Sequence, residues 1–344
     1  MKSLIKKSVL AASLVATYAG SAMGAWYEDV TLKGDFRFRF QKDTDDSKAA
    51  TMEDDRSRQR IRFRYGAYGA VNEKIDYGFR FASVVGGTDS RNQTLSGNLD
   101  NKSIGLDMAY VTMKVNDVTM VTAGKFKNPF WKPQKSPLMW DGDYTPEGLS
   151  LGYKNGSLFA NLASIALDSD SKSNNVQWIN ALQVGFKKGG FAGALAYYGA
   201  SSDVAGGGTD LTNGSEFLNV GLEYGFSMGS SKATLFGDYA INQDESVGAD
   251  SETAMLLGIN VKSGKFKYGL AFMDVGDEGG SGLQDSDFNG GKADTQGYRV
   301  NLGYAFAENS SASLTYFAWE DQQSAATAVD PKATTLQADL KFKF

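Results

Sequence analysis

The sequence predicts an all-β protein, a transmembrane antiparallel β-barrel of about sixteen strands. Three observations predict this fold. Apolar and polar side chains alternate along segments of about ten residues, short and long connections take turns between these segments, and aromatic residues crowd beside the short connections. After the N-terminal segment no apolar run is long enough to cross a bilayer as a helix, which argues against a helical membrane protein.

The N-terminal segment, residues 1–24, has the pattern of a secretory signal peptide. Lysines at its start are followed by an apolar stretch, Val9–Ala19, that is too short to span a bilayer as a helix. Small residues then occur in Ala22-Met23-Gly24, where a signal peptidase would cleave. We therefore expect residues 25–344 to be the exported barrel domain, with cleavage after Ala22 as an alternative.

Alternation with a period of two is clear in the first predicted strand. Phe36, Phe38 and Phe40 share one parity, and Arg37 and Arg39 share the other. A period of two places the two sets on opposite faces of a strand, so we expect the apolar set to face lipid and the polar set to face a wet interior. A secreted soluble β-sandwich or β-solenoid would also alternate, but neither needs an aromatic residue at nearly every short turn.

The connections between the alternating segments fall into two classes. The short ones lie at 72–74, 116–117, 155–156, 187–190, 227–231, 262–265 and 307–310. The longer, polar ones lie near 42–57, 84–102, 127–146, 168–175, 201–215, 243–252, 274–294 and 320–333. Short periplasmic turns and long extracellular loops in this order make sixteen strands, and such an even-numbered arrangement is typical of outer-membrane barrels.

Aromatic residues beside the short turns predict an interfacial girdle, because aromatic rings favour the boundary between headgroups and hydrocarbon. They are Tyr153, Phe186, Phe191, Tyr224, Phe226, Phe266, Tyr268, Tyr304 and Phe306. The last segment also alternates, from Leu336 to the terminal Phe344. The pattern therefore predicts that this segment is the strand that closes the barrel.

Three segments resemble the general porins of proteobacteria and related porins. Ala109–Val111, followed after a short turn by Thr122–Lys125, is similar to the family's Ala-Tyr-Val … Leu-Gly-Arg region, with Ala and Lys in place of the usual Leu and Arg. Lys127–Pro146 has the position of the family's infolded constriction loop, without its Pro-Glu-Phe-Gly-Gly type motif. The closing strand that ends in Phe344 resembles the signal for the outer-membrane assembly machinery. The resemblance implies a homotrimer in contact with outer-membrane lipid and lipopolysaccharide, with no cofactor.

The candidate pore lining is an arginine wall on the non-apolar parity of three consecutive strands. Its members are Arg37, Arg39, Arg58, Arg60, Arg62, Arg64 and Arg80. Arginine stays charged at any relevant pH, and a water-filled lumen with counter-charges relieves the repulsion between stacked cations. The alternative is that these arginines only solvate the lumen and pair with Asp35, Asp76 or other acids of the wall. A nucleic-acid patch is disfavoured, since Ile61 and Phe63 between the arginines demand an apolar face.

The resemblance implies that the basic wall faces acids on the constriction loop, here Asp141, Asp143 and Glu147. Opposed charges would create a transverse field that orients dipolar solutes and discriminates between ions. The loop, residues 127–146, holds most of the chain's prolines and three large aromatic residues. Because proline stiffens the backbone and the aromatic rings seek burial, we expect the loop to fold into the barrel. Packing outside, on other loops or another subunit, is the alternative.

Two long connections are rich in acidic residues. The first holds Asp43, Asp45, Asp46, Glu53, Asp54 and Asp55, and the seventh holds Asp274, Asp277, Glu278, Asp285 and Asp287. We expect both runs to be solvated surface. The alternative is a Ca²⁺ site or a bridge to lipopolysaccharide through divalent cations, since clustered carboxylates suit hard cations.

Passive diffusion of small hydrophilic solutes and ions across the outer membrane is the predicted function. A substrate-selective channel for anions or organic acids is the alternative, and a structural or adhesive barrel with a filled lumen is the third hypothesis. Glycines of the lumen parity argue against a filled interior; they are Gly66, Gly78, Gly185, Gly221, Gly258 and Gly303. We expect no enzyme and no metal site, because the chain has no His and no Cys for a histidine-based hydrolase, a thiol nucleophile or a zinc centre.

Overall fold

The computed structural model describes residues 30–45, 55–84, 90–169, 177–202, 216–243, 252–284, 286–289, 291–322 and 332–344. The predicted signal peptide lies outside the described residues, as do Asp46, Glu53, Asp54 and Asp285 of the acidic runs. The described chain forms a closed antiparallel barrel of sixteen strands, which confirms the predicted fold class.

The barrel strands follow one another in chain order. They are β1 (Thr31–Asp45), β2 (Asp55–Asn72), β3 (Ile75–Ser83), β5 (Ile104–Lys114), β6 (Thr119–Lys125), β7 (Glu147–Asn155), β8 (Leu158–Asp168), β9 (Gln177–Lys188), β10 (Phe191–Ser202), β11 (Glu216–Met228), β12 (Ser231–Asn242), β13 (Thr253–Ser263), β14 (Phe266–Val275), β15 (Thr295–Ala307), β16 (Ser310–Asp321) and β17 (Lys332–Lys343). The two-residue strand β4 (Gln93–Thr94) pairs with β2 from within a loop. A 3-10 turn (Pro133–Lys135) and a four-residue helix, α1 (Ser286–Asn289), complete the described elements. No helix among the described residues is long and apolar enough to cross a membrane.

The barrel closes where one edge of β1 pairs with β17; the other edge of β1 pairs with β2. Backbone hydrogen bonds of 2.7 and 3.1 Å join Gly34 and Phe344 in both directions. The Phe344 ring lies over Gly34, where a side chain would clash with it, and stacks on Phe63 and Tyr65 at 6.3 and 6.4 Å between ring centroids. Closure matters because an unpaired strand edge in hydrocarbon would cost several kcal/mol for each backbone group.

The predicted order of short turns and long loops is confirmed. Six turns leave two residues between strands, and the turn at 115–118 leaves four. Gly156, Gly189, Gly229 and Gly264 open four of these turns with φ between 54° and 62°. This left-handed conformation is the one that two-residue hairpins require, and glycine adopts it without steric cost.

The two faces of the barrel follow the predicted parities. Leu257 and Leu302 on the outer face expose 50% and 42% of their surface, as expected of large apolar side chains that contact lipid. Tyr224 and Phe266, beside two-residue turns, are also exposed on this face. Arg37, of the opposite parity, is buried inside. The outer face is therefore an apolar surface, and the charges lie within.

One side of the barrel interior is filled. Inner-face residues of β8 to β16 form an apolar cluster with two long loops, loop 3 (residues 126–146) and loop 7 (residues 276–294). The expectation of an open interior from lumen glycines is therefore wrong on this side: Gly221 lies against Pro133 and Trp131 of loop 3, and Gly258 lies beneath the Phe236 ring. Open space remains on the side of β1, β2, β3 and β17.

Candidate functional site

A cavity of about 1280 Å³ lies on the open side of the barrel interior. Among the described residues its lining includes eleven basic side chains and four acidic ones. The basic ones are Arg37, Arg58, Arg60, Arg62, Arg64, Arg80, Lys127, Lys132, Lys135, Lys341 and Lys343; the acidic ones are Asp43, Asp141, Asp143 and Asp287. The cavity is therefore strongly basic, although the whole chain has a net charge of −5.

Arg37 and Arg39 lie side by side on the inner face of β1 but differ in role. Arg39 is 3% exposed, with its Nε 2.7 Å from Asp339 Oδ1 and its Nη1 3.0 Å from Asp287 Oδ2. Arg37 donates from Nε to Asn92 Oδ1 at 3.0 Å and stands 4.0 Å from Asp339. Arg37 reaches the cavity, whereas Arg39 is held behind it as a buried ion pair.

Arg62 and Arg64 on β2 bind acids from two directions. Asp35 of β1 lies 3.0 Å from Arg62 Nη2 and 2.7 Å from Arg64 Nε. Asp143 of loop 3 stands 3.6 and 3.9 Å from the Nη1 atoms of the same two arginines. Pairing within the wall and pairing with the loop, which the sequence leaves as alternatives, therefore occur together.

Arg60 differs from its neighbours, because within the described part of the chain no carboxylate lies within 4.0 Å of it. Its guanidinium donates to Gln41 Oε1 at 3.1 Å and to Ser90 Oγ and the Asn92 carbonyl, both at 3.3 Å. All three partners are neutral. The positive charge of Arg60 is therefore not cancelled by direct contact and remains available to a solute in the cavity.

Loop 2 (residues 84–103) adds a cation that sequence reasoning missed. Arg91 is buried, and its Nε stands 2.6 Å from Asp107 Oδ1. Arg80 binds the other oxygen of the same carboxylate, rather than Asp76. The Arg91 amide also donates to Asp143 at 3.3 Å, so loop 2 ties loop 3 to the wall. Arg91 lies outside the alternating strands, and Asp107 lies at a bulge in β5. The alternation of apolar and polar residues therefore could not predict that either side chain faces the lumen.

Loop 3 packs on the inner face of the barrel. Trp131 and Gln183 of β9 exchange two hydrogen bonds, at 2.7 Å and 2.8 Å. The amide of Gln134 donates to Glu223 of β11 at 3.0 Å, and Asn260 of β13 donates to the Gln134 side chain at 3.1 Å. Inward-facing polar side chains of three strands thus hold the loop across one side of the lumen.

The aromatic residues of loop 3 anchor it further. The Phe130 ring lies 6.3 Å from Trp140 and 5.2 Å from Tyr198 of β10, and Trp140 lies 6.0 Å from Tyr198. Phe130, Trp140 and Tyr198 are all nearly fully buried. Burial of large rings supplies much of the favourable free energy of such contacts, so the loop is firmly seated.

The three acids predicted for the loop separate in the structure. Asp143 meets the arginines, and Asp141 lines the cavity, where its Oδ1 accepts a 2.6 Å hydrogen bond from the Asp143 amide. Glu147 does not line the cavity. It shares its parity with the exposed Leu149, and its carboxylate binds Lys125 Nζ at 2.5 Å. Its expected place in the constriction is therefore corrected, because it begins β7 with its side chain on the outer parity.

Asp287 also departs from expectation, since it was predicted to be solvated surface. It lies in α1, lines the cavity and binds Arg39. Burial raises the pKa of Asp287, but the nearby guanidinium of Arg39 outweighs this and holds the pKa below its usual range, so the carboxylate is charged at neutral pH. Within the described residues no group of three acidic side chains is arranged to hold a metal ion.

Five lysines of the lining were also missed by sequence reasoning. Lys341 and Lys343 lie on the polar parity of β17, so their placement could have been found from the pattern. Lys127, Lys132 and Lys135 lie in loop 3, where no periodicity applies. Their presence means that the loop brings positive as well as negative charge to the lumen, which the simple picture of a basic wall facing an acidic loop did not include.

A closed sixteen-stranded barrel with an infolded loop and a charged cavity is the architecture typical of channel proteins of outer membranes. The family model described as "Putative porin" matches residues 46–199. The fold is similar to that of a triple mutant of Rhodopseudomonas blastica porin, with a TM-score of 0.58, 14% identity, and coverage of 92% of this chain and 100% of that one. A second mutant of the same porin gives a TM-score of 0.57 at 13% identity with the same coverage. No curated protein matches the chain. The predicted resemblance to porins is confirmed, and the family match and fold support a channel for diffusion.

Proposed function

We propose that the protein is a passive diffusion channel for small hydrophilic solutes and ions, and that its lumen favours anions. The single observation that carries this proposal is the basic cavity inside a closed barrel. The family match and the fold support diffusion, and the charge of the lining supports the preference for anions.

The preference follows from electrostatics in a confined space. A channel with low-dielectric walls focuses field lines, so the excess of basic side chains raises the local concentration of anions. The cations that contribute most to this excess are those for which the described residues provide no ion pair with a carboxylate; they are Arg60, Lys127, Lys135 and Lys343. The paired arginines matter less for net charge, since Asp35 and Asp143 neutralise part of it.

The filled side of the interior sets the path of solutes. Loops 3 and 7 occupy the side of β8 to β16, so diffusion would follow the arginine wall. A path with charges of both signs along one side suits small polar solutes. Larger solutes would be excluded where loops 3 and 7 narrow the lumen. A strictly substrate-selective channel for organic acids is the second candidate, favoured by the same basic lining.

Liposome swelling with purified, folded protein tests the proposal. We expect entry of neutral sugars at rates that fall with solute size, and faster entry of gluconate than of an organic cation of similar size. Protein unfolded by heat before reconstitution is the matched control. Swelling no faster than with this control would refute a diffusion channel, while entry of one organic anion with saturation and exclusion of sugars would favour the selective channel.

We also propose export to the bacterial outer membrane, with residues 1–24 removed. The barrel fold and the family match support this location, and the charge and length pattern of the N-terminal segment supports cleavage. Mass spectrometry of outer-membrane fractions should find a mature N-terminus at Ala25 or Met23. Recovery of the chain with Met1 intact would overturn the export proposal.

Assembly and partners are proposals of the same kind. We infer a homotrimer in lipid and lipopolysaccharide, inserted by the assembly machinery through the strand that ends in Phe344. The apolar outer parity of that strand, with the exposed Leu340, Phe342 and Phe344, supports recognition of this strand.

A further inference from the structure

Loop 7 enters the barrel interior and is anchored there by an aromatic side chain. Phe288 of α1 is 1% exposed and packs edge-on against Phe317 of β16, with 5.7 Å between the ring centroids. The guanidinium of Arg299, on β15, lies 5.7 Å from the centre of the Phe288 ring. A loop that only covered the outer mouth of the barrel would not bury a phenylalanine against inward-facing side chains of two strands.

Loop 7 is also bonded directly to loop 3. Ser281 Oγ donates to the Met139 carbonyl at 2.8 Å, and the Asp141 amide donates to the Leu283 carbonyl at 2.6 Å. Ser281, Met139 and Leu283 are all buried. The two loops therefore form one body across the lumen, and Asp141 is positioned by loop 7 as well as by its own loop.

Among the described acidic residues of loop 7, Asp287 lines the cavity. Its side chain retains 32% exposure, and its Oδ2 lies 3.0 Å from Arg39 Nη1. Arg39 already has a second carboxylate, Asp339, at 2.7 Å. Asp339 also binds Lys341 at 3.0 Å and stands 4.0 Å from Arg37, so these two carboxylates together face three cations. The exposed part of Asp287 lines the cavity beside the arginine wall.

We propose that loop 7 is a second constriction element and that Asp287 is a residue that determines ion preference in the pore. This inference rests on the proposed diffusion function. The negative charge of Asp287 opposes the basic lining, so it moderates the preference for anions, while the loop narrows the lumen together with loop 3. Because the electric field is focused where the lumen is narrow, a single charge there has a measurable effect on ion preference.

Asp287→Asn tests the charge, because the substitution removes the charge but keeps the shape of the side chain. We expect the reversal potential in a salt gradient to move toward anions, most strongly in dilute salt where screening is weak. Asp277→Asn is the matched control, since Asp277 belongs to the same loop but is exposed and does not line the cavity. Equal shifts in the two variants, or none in Asp287→Asn, would overturn the assignment of Asp287.

A single cysteine tests the position of the loop, and the chain has no native Cys to interfere. Ser281→Cys, at a fully buried position where loop 7 contacts loop 3, should react only slowly with a maleimide in the folded protein. Asp277→Cys, at an exposed position of the same loop, is the control and should react quickly. Equal labelling rates in the two folded variants would show that loop 7 is not packed against loop 3 and would contradict a second constriction.

Removal of the Phe288 anchor tests whether loop 7 narrows the pore. Phe288→Ser should release loop 7 from the interior and raise single-channel conductance by roughly half or more, since the open cross-section controls ion flow. Unchanged conductance in this variant would contradict a second constriction. Failure of the wild-type protein to conduct at all would instead refute the proposed function, so the two failures can be told apart.

Discussion

Leu302→Arg is expected to destabilise the folded barrel by roughly 2–4 kcal/mol, the cost of an arginine on the lipid face near the bilayer midplane. Leu302 is exposed on the outer face, and its cross-strand neighbours are Tyr268 and Leu314. A guanidinium in this apolar surface would lose hydration without gaining a partner. Urea unfolding in lipid vesicles, or the folded fraction on heat-modifiable gels, measures the effect.

Asn301→Arg is the matched control, one residue away on the inner face. Asn301 donates to Thr315 Oγ1 at 2.7 Å, so the substitution loses one hydrogen bond but leaves the new charge in water. This variant should assemble almost as well as the wild-type protein. If the two variants folded to the same extent, the assignment of inner and outer faces would be wrong.

Replacement of Arg60, Arg62 and Arg64 together by Gln is expected to shift ion preference toward cations, by several-fold in permeability ratio at low ionic strength. The change removes the uncompensated charge of Arg60 and leaves Asp35 and Asp143 without their guanidinium partners. The fold should persist, because Gln remains hydrated on the lumen face. Reversal potentials in a planar bilayer measure the shift.

The control removes the same charge elsewhere. Lys187, Lys188 and Lys232 are exposed, lie beside short turns and do not line the cavity, so their joint replacement by Gln should change selectivity little. Asp143→Asn should shift the reversal potential the opposite way, toward anions, because it removes an acid that contacts the wall. If the triple Gln variant kept the wild-type ion selectivity, the three arginines would only solvate the lumen wall and would not determine selectivity.

Local patterns were sufficient to predict the barrel, because a strand's two faces are encoded by residues two positions apart. Phe38 and Arg39 differ in environment for that reason alone, and a two-residue turn such as that beginning at Gly156 needs only its own glycine. The same reasoning placed Arg62 and Arg64 on the inner face. It also found the stiff, aromatic character of loop 3, which residues 127–146 carry within one segment.

Contacts between distant loops could not be predicted in this way. Asp287 binds Arg39 across 248 positions of the chain, and nothing in its local sequence distinguishes it from the exposed Asp277. Glu147 follows loop 3 directly, but the first residues of β7 already fix its side chain on the outer parity. Lumen glycines were misread because Gly221 leaves room for Trp131 of loop 3 rather than for water.

The reversal potential of the wild-type protein tests the central claim most directly. Purified protein would be inserted into a neutral planar bilayer between dilute potassium chloride solutions of unequal concentration, chosen because the two ions have similar mobility in water. The basic lining predicts stable conductance steps and a reversal potential of the sign that marks chloride as the more permeant ion, declining as salt is raised. A bilayer that stays silent, or a potential that marks potassium as the more permeant ion, would contradict an anion-favouring pore beside the arginine wall.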